Sequence, residues 1–78
     1  MLPAEATLER VLKVLQALGC TLKRRNKGHI HLTRKAPDSA IRNGTLPDHD
    51  TILVGTLHSA LRRLGISATE FMAAYERA

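Results

Sequence analysis

The chain has 78 residues, and its 12 lysines and arginines exceed its 7 acidic residues by five, which gives a formal net charge of +5. A chain of this length is expected to fold as one domain, residues 1–78. One cysteine excludes an internal disulfide and is typical of a cytoplasmic protein. No apolar run approaches the roughly 20 residues that cross a membrane, and Glu5 and Glu9 interrupt any signal-peptide pattern. We therefore expect no association with a membrane.

Positive charge is concentrated between Arg10 and Pro37, where no acidic residue occurs. The other cations of this window are Lys13, Lys23, Arg24, Arg25, Lys27, Arg34 and Lys35. A basic stripe is typical of nucleic-acid binding, although the solvated surface of a basic protein is the simpler alternative. Because most of these cations crowd onto one predicted hairpin, we favour a nucleic-acid partner.

The first predicted element is a helix over residues 4–18. Its apolar residues recur at helical spacing, at Leu8, Val11, Leu12, Leu15 and Leu18. Pro3 suits the first turn and Gly19 is a natural residue to end the helix. We expect the apolar stripe to lie in the core.

A hairpin follows, with strands over 20–25 and 29–33 and a turn at 26–28, where Gly28 tolerates a positive φ. Successive side chains of a strand point to opposite faces. This alternation predicts an apolar face made of Cys20, Leu22, Ile30 and Leu32. It predicts an outer face made of Lys23, Arg25, His29, His31 and Thr33.

The stretch 34–44 is predicted to be a loop. A short third strand is expected to end at Pro47, and it begins either near residue 40 or at residue 44. A second helix is predicted from about residue 55 to Gly65, with an apolar stripe at Leu53, Leu57, Ala60, Leu61 and Leu64. Ser67 and Glu70 match a capping box, which predicts a third helix over 68–77. This helix packs either on the core or on a partner.

The predicted order α-β-β-β-α-α indicates an α+β domain, in which a three-stranded antiparallel sheet carries helices on one face. The other face stays open and presents His29 and His31 among cations. Such a face suits a polyanion, and an imidazole exchanges protons near neutral pH. Phe71 and Tyr75 both lie in the last helix, so the sheet has no aromatic side chains for base stacking.

Other chemistries have weaker support. His29 and His31 lie two residues apart on one strand face, a spacing compatible with zinc, but further ligands are lacking nearby. Cys20 is predicted to face the core, and the acids of the segment 48–50 are distant in sequence. We therefore expect no metal and no cofactor. For His31, the simpler alternative to catalysis is a surface residue that pairs across the sheet.

Four segments, 26–32, 46–49, 55–57 and 61–67, together resemble the HicA toxin family in order and spacing. The resemblance implies a fold like the double-stranded-RNA-binding domain, to which the predicted third helix adds an extra C-terminal helix. It also implies a toxin that cleaves mRNA, and a HicB-type antitoxin that covers the active face. The family's active histidine lies three residues after the turn glycine, which is His31 here. This chain has His29 where the family usually has serine, so the division of labour between the two histidines stays open.

We thus expect His31 to act as general base or general acid on RNA, without a metal. Lys23, Arg25 and Lys27 are expected to bind phosphate, and the supporting residues are His29, Gly28 and Thr33. A non-catalytic RNA-binding module that uses the same basic face is the main alternative. A DNA-binding protein that uses the helix over 53–64 ranks last, because the basic residues concentrate on the hairpin.

Overall fold

The computed structural model describes residues 2–78. Its elements in chain order are β1 (Glu5–Thr7), α1 (Leu8–Ala17), β2 (Cys20–Asn26), β3 (His29–Lys35), β4 (Ile41–Pro47), β5 (Thr51–Leu53), α2 (Val54–Leu64) and α3 (Ala68–Arg77). Strands β2, β3 and β4 form an antiparallel sheet in that order, and β1 and β5 form a separate two-stranded ribbon. The α+β class and the order α-β-β-β-α with an additional C-terminal helix are confirmed.

The first helix begins later than predicted. Residues 5–7 form β1, in which Glu5 pairs with Leu53 and Thr7 pairs with Thr51. The helix starts at Leu8, because the Thr7 hydroxyl caps it by accepting the Arg10 amide at 3.3 Å. The prediction that Pro3 occupies the first helical turn was therefore wrong.

The predicted hairpin turn is confirmed. Lys27 and Gly28 both have positive φ, 50° and 78°, as two-residue hairpin turns of type I′ require. Asn26 and His29 form the pair that closes the turn. Both strands are longer than predicted, since β2 continues to Asn26 and β3 continues to Lys35.

The third strand of the sheet is not short. It covers seven residues and pairs along the whole of β3, from Pro47 opposite His29 to Ile41 opposite Lys35. The predicted loop over 34–44 shrinks accordingly to a tight connection, in which the Ala36 amide donates to the Ala40 carbonyl at 2.8 Å. The sheet is thus a three-stranded platform of nearly equal strands.

The helices cover one face of this platform. Side chains from the sheet and from all three helices are fully buried between them, among them Leu15 of α1, Ile30 of β3, Leu61 of α2 and Phe71 of α3. Helix α3 packs against α1, where the Phe71 and Tyr75 rings stack with centroids 5.6 Å apart. Of the two alternatives for α3, the structure shows packing on the core.

The start of α2 departs from its predicted pattern, whereas its end does not. Leu53 was expected in the apolar stripe, but it lies at the end of β5 and is 57% exposed. At the other end, Gly65 stops α2 with φ 74°, as predicted.

The start of α3 follows half of the predicted capping box. The Ser67 hydroxyl accepts the Glu70 amide at 3.0 Å. The Glu70 carboxylate does not complete the box, since it contacts Arg34 at 3.4 Å instead.

No helix within residues 2–78 has the length and apolar character needed to cross a membrane.

Candidate functional site

The open face of the sheet, opposite the helices, carries the two histidines, as the alternation predicted. Ile30 and Leu32 are buried beneath the helices, so His29 and His31 point to the other side. His31 occupies the middle strand, with Arg24 of β2 opposite it on one side and Thr45 of β4 on the other. Directly opposed residues of antiparallel strands have Cβ atoms about 5 Å apart. We call this surface the outer face.

The two imidazoles differ in their contacts. The Nδ1 atom of His29 lies 3.2 Å from the Lys27 carbonyl oxygen, a contact that requires a proton on Nδ1. His29 itself is exposed and His31 is half-buried. Within residues 2–78 the His31 ring forms no hydrogen bond, so both of its nitrogens are available to a bound molecule.

A β-bulge in β2 changes which cations reach the outer face. Leu22 pairs with Leu32, but the next pair is Arg24 with His31, so Lys23 is an extra residue. Arg25 consequently pairs with the buried Ile30 and lies on the helix side of the sheet. The prediction that Arg25 shares the face of His31 was wrong, because a one-residue bulge reverses the alternation beyond it.

Arg25 is held by an acid on that side. Its Nε and Nη2 atoms donate to the two carboxylate oxygens of Asp48, each at 2.8 Å. These hydrogen bonds are the main reason why the pKa of Asp48 is lowered and that of Arg25 raised. The Asp48 amide also donates to the Gly28 carbonyl at 2.8 Å. The pair therefore fastens the hairpin turn to the end of β4.

The other predicted residues are distributed as follows. Lys23 lines a concavity together with His31, and Lys27 is exposed at the turn. Thr33 lies on the outer face, where its hydroxyl donates to the Arg42 carbonyl over a long 3.5 Å. The structure thus brings Lys23, Thr33 and the two histidines to one face, with Lys27 and Gly28 at its edge.

Arg24 also lies on the outer face, a position that alternation along β2 did not predict. In the run 23–25 three cations follow one another, and regular alternation sends the first and third outward. No local pattern marks the bulge, which depends on the pairing of β2 with β3. The register alone places Arg24 beside His31.

Metal-binding side chains do not gather on the outer face. Within the described residues no three His, Cys, Asp or Glu side chains are close enough to hold a metal ion. Cys20 is buried on the helix side, and burial is the main cause that raises the pKa of its thiol. The arrangement offers imidazoles, cations and hydroxyls as its chemical groups.

Fold and outer face together define a small basic α+β domain whose open sheet presents two histidines among cations. The family model for the HicA toxin of bacterial toxin-antitoxin modules matches residues 9–66. The chain belongs to the HicA toxin family, so the predicted family is confirmed. Membership makes the chain a toxin and implies an antitoxin as its partner. No curated protein matches the sequence.

Proposed function

We propose that this toxin is an endoribonuclease that cleaves mRNA in the cytoplasm through acid–base catalysis by His31. The observation that carries the proposal is the position of His31 at the centre of the outer face, with an unengaged ring and a cationic cross-strand neighbour in Arg24. An RNA strand that lies on this face brings its phosphates to the cations and next to the imidazole. Positioned proton transfer of this kind accelerates reactions by about 10²–10⁴-fold.

The proposed reaction uses the 2′-hydroxyl of the RNA as the nucleophile. A base removes the 2′ proton, the 2′ oxygen attacks the neighbouring phosphorus, and the bond from phosphorus to the 5′ oxygen breaks. The leaving 5′ oxygen takes a proton from an acid. The products are a 2′,3′-cyclic phosphate and a 5′-hydroxyl, and protons and electrons balance without a metal or cofactor.

His31 serves in one of two roles in this scheme. As the base, its ring must be neutral when the 2′ proton is removed. As the acid, it must carry the proton that the leaving 5′ oxygen takes. His29 lies two residues before His31 on the same face of β3 and supports the site. Lys23, Lys27 and the Thr33 hydroxyl bind the phosphates.

For the partner, we propose a HicB-type antitoxin that covers the outer face. Its contact surface is expected to be acidic, because the face it must cover is basic. Binding there keeps RNA away from His31.

Expression of the toxin alone tests the proposal in cells. We expect the wild-type chain to arrest growth and to shorten mRNA, and His31→Ala to abolish both effects at an equal level of folded protein. His58→Ala is the matched control, because His58 is exposed on α2 in the helix layer. Growth arrest by the His31→Ala variant would reject the assignment, and tolerated wild-type expression with intact mRNA would favour a non-catalytic RNA-binding module.

A further inference from the structure

The bulge in β2 exchanges the positions of two adjacent arginines. Had the alternation continued from Leu22, Arg25 would face outward and Arg24 would face the helices. The extra residue Lys23 reverses this order, so Arg24 stands opposite His31 and Arg25 stands opposite Ile30. Bulges commonly re-aim a side chain next to an active site.

The two arginines also differ in whether their charge is compensated. Arg25 makes a bidentate contact with Asp48 at 2.8 Å. Among the described residues, Arg24 makes no salt bridge and no side-chain hydrogen bond, and it is exposed. Its guanidinium is therefore free to bind an anion, whereas an anion at Arg25 must displace a carboxylate.

Arg24 borders a small concavity on the outer face. This space of about 150 Å³ is lined by Lys23, Arg24, His31, Leu32, Asn43, Gly44 and Thr45. Two of the lining side chains are cations, and Asn43 and Thr45 add hydrogen-bond donors. Among the described residues, no carboxylate borders the space. A single anionic group with its donors fits this composition.

A larger groove beside α1 has a different composition. It measures about 850 Å³ and is lined by Glu9, Arg10 and Arg25 among others. Its arginines are already engaged, since Arg25 binds Asp48. The Arg10 guanidinium lies 3.7 Å from the Tyr75 ring centroid and donates to the Tyr75 carbonyl. Lys13 also lines this groove, but it shares the space with the Glu9 carboxylate, which disfavours an anion. The smaller concavity, whose lining residues include no acid, is therefore the better anion site.

We propose that this concavity is the subsite for the phosphate on which His31 acts, and that Arg24 is its principal ligand. The inference rests on the proposed function and adds a residue and a location to it. A guanidinium binds phosphate through two parallel hydrogen bonds, which fix orientation as well as charge. Arg24 is thus a substrate-binding residue that sets the phosphodiester beside the imidazole, with Lys23, Asn43 and Thr45 completing the shell.

Arg24→Gln and Arg25→Gln form a matched pair of variants that tests this inference. The binding of a 2′-O-methyl RNA oligonucleotide, which cannot react, is measured by fluorescence anisotropy over a range of salt concentrations. Arg24→Gln is expected to weaken binding roughly 10-fold and to reduce the salt slope by about 0.7, the value for one phosphate contact on a single strand. Arg25→Gln is expected to leave the salt slope unchanged and to lower the melting temperature.

Single-turnover cleavage of the unmodified RNA supplies the second readout. Arg24→Lys keeps the charge but loses the two-pronged contact, so we expect it to retain the salt slope while it cleaves at least 10-fold more slowly than wild type. Equal effects of Arg24→Gln and Arg25→Gln on binding, or wild-type behaviour of Arg24→Gln, would overturn the assignment of Arg24 while leaving the nuclease in place. If the wild-type chain neither binds nor cleaves RNA, the proposed function and this inference both fail.

Discussion

The buried cation Arg34 connects three helix ends beneath the sheet. It is 6% exposed. Its guanidinium donates to the Leu18 carbonyl at the end of α1, to the Leu64 and Gly65 carbonyls at the end of α2, and to Glu70 in α3. Carbonyls at a helix end lack partners within the helix, and a cation there is favourable. Five fixed donors make arginine the side chain suited to this position.

Arg34→Met tests this role with a side chain of similar length and no charge. The change leaves several carbonyls and the Glu70 carboxylate without their donor, so we expect a loss of roughly 2–4 kcal/mol in the free energy of unfolding. Lys35→Met is the control, because Lys35 is the exposed neighbour on the outer face. Urea denaturation measures both variants, and equal stability of the two would contradict the account of Arg34.

The Arg25–Asp48 pair gives the fold a dependence on pH. The Asp48 carboxyl has its pKa lowered from the ordinary 3.8 by the hydrogen bonds from Arg25. Because the folded-state pKa is the lower one, the stabilisation is complete above pH 3.8 and is lost as pH falls through the folded-state value.

Asp48→Asn is therefore expected to lower the melting temperature at pH 7, and the difference from wild type is expected to shrink as pH falls below about 4. Asp50→Asn is a suitable control, since the Asp50 side chain is exposed and forms no salt bridge within residues 2–78. A difference that stays constant from pH 7 to pH 2.5 would show that Asp48 acts through something other than its charge.

At the scale of the element, β4 and α2 approach so closely that only glycine fits between them. A Cβ built on Gly44 would lie 2.8 Å from Cγ of Leu64, which is fully buried in the core. Gly44 pairs with Leu32, so this close contact sets the height of α2 over the middle strand. The contact between Gly44 and α2 thereby fixes the position of β3, the strand that carries His31.

Gly44→Ala is expected to lower the free energy of unfolding by about 1–3 kcal/mol, because Leu64 must shift within a packed core. Gly55→Ala provides a control that is expected to raise the free energy of unfolding. Gly55 lies in the first turn of α2 with open space around it, and alanine there favours the helix by about 0.5–1 kcal/mol. Thermal or urea unfolding that finds Gly44→Ala as stable as wild type would refute the packing argument.

Local sequence patterns predicted the presence of the helices and strands better than the residues at which they begin and end. The apolar spacing located α1 and α2, and Gly65 marked the end of α2, because these signals depend on neighbouring residues. The pairing of Glu5 with Leu53 joins distant parts of the chain, so β1 was mistaken for the start of a helix. The inward position of Arg34 follows from Ile30 and Leu32 once β3 is known to continue to Lys35.

The same distinction applies to the candidate site. Alternation along β3 was enough to place His29 and His31 on one face, since that strand is regular. It failed on β2, where the bulge at Lys23 results from cross-strand pairing and exchanges Arg24 for Arg25. The alternation within one strand therefore predicts which face each side chain occupies only as far as the first β-bulge in the strand pairing.

In the whole molecule, acidic side chains compensate arginines away from the outer face. Arg25, Arg34 and Arg42 form salt bridges with Asp48, Glu70 and Asp38, respectively. Within the described residues, Lys23, Arg24 and Lys27 form none, and neither do Lys13, Arg62 and Arg63 on the helices. The cations around His31 therefore have no acidic partner, which favours the proposed binding of a polyanion there.

Cleavage of a single-stranded RNA by the purified toxin in the presence of EDTA tests the central claim most directly. His31→Gln is compared with His58→Gln at enzyme excess, and folding of each variant is checked by circular dichroism. We expect wild type and His58→Gln to produce 2′,3′-cyclic phosphate ends, and His31→Gln to cleave at least about 10²-fold more slowly while binding the 2′-O-methyl RNA as tightly as wild type. Cleavage by His31→Gln at the wild-type rate would contradict the assignment of this histidine as the catalytic residue.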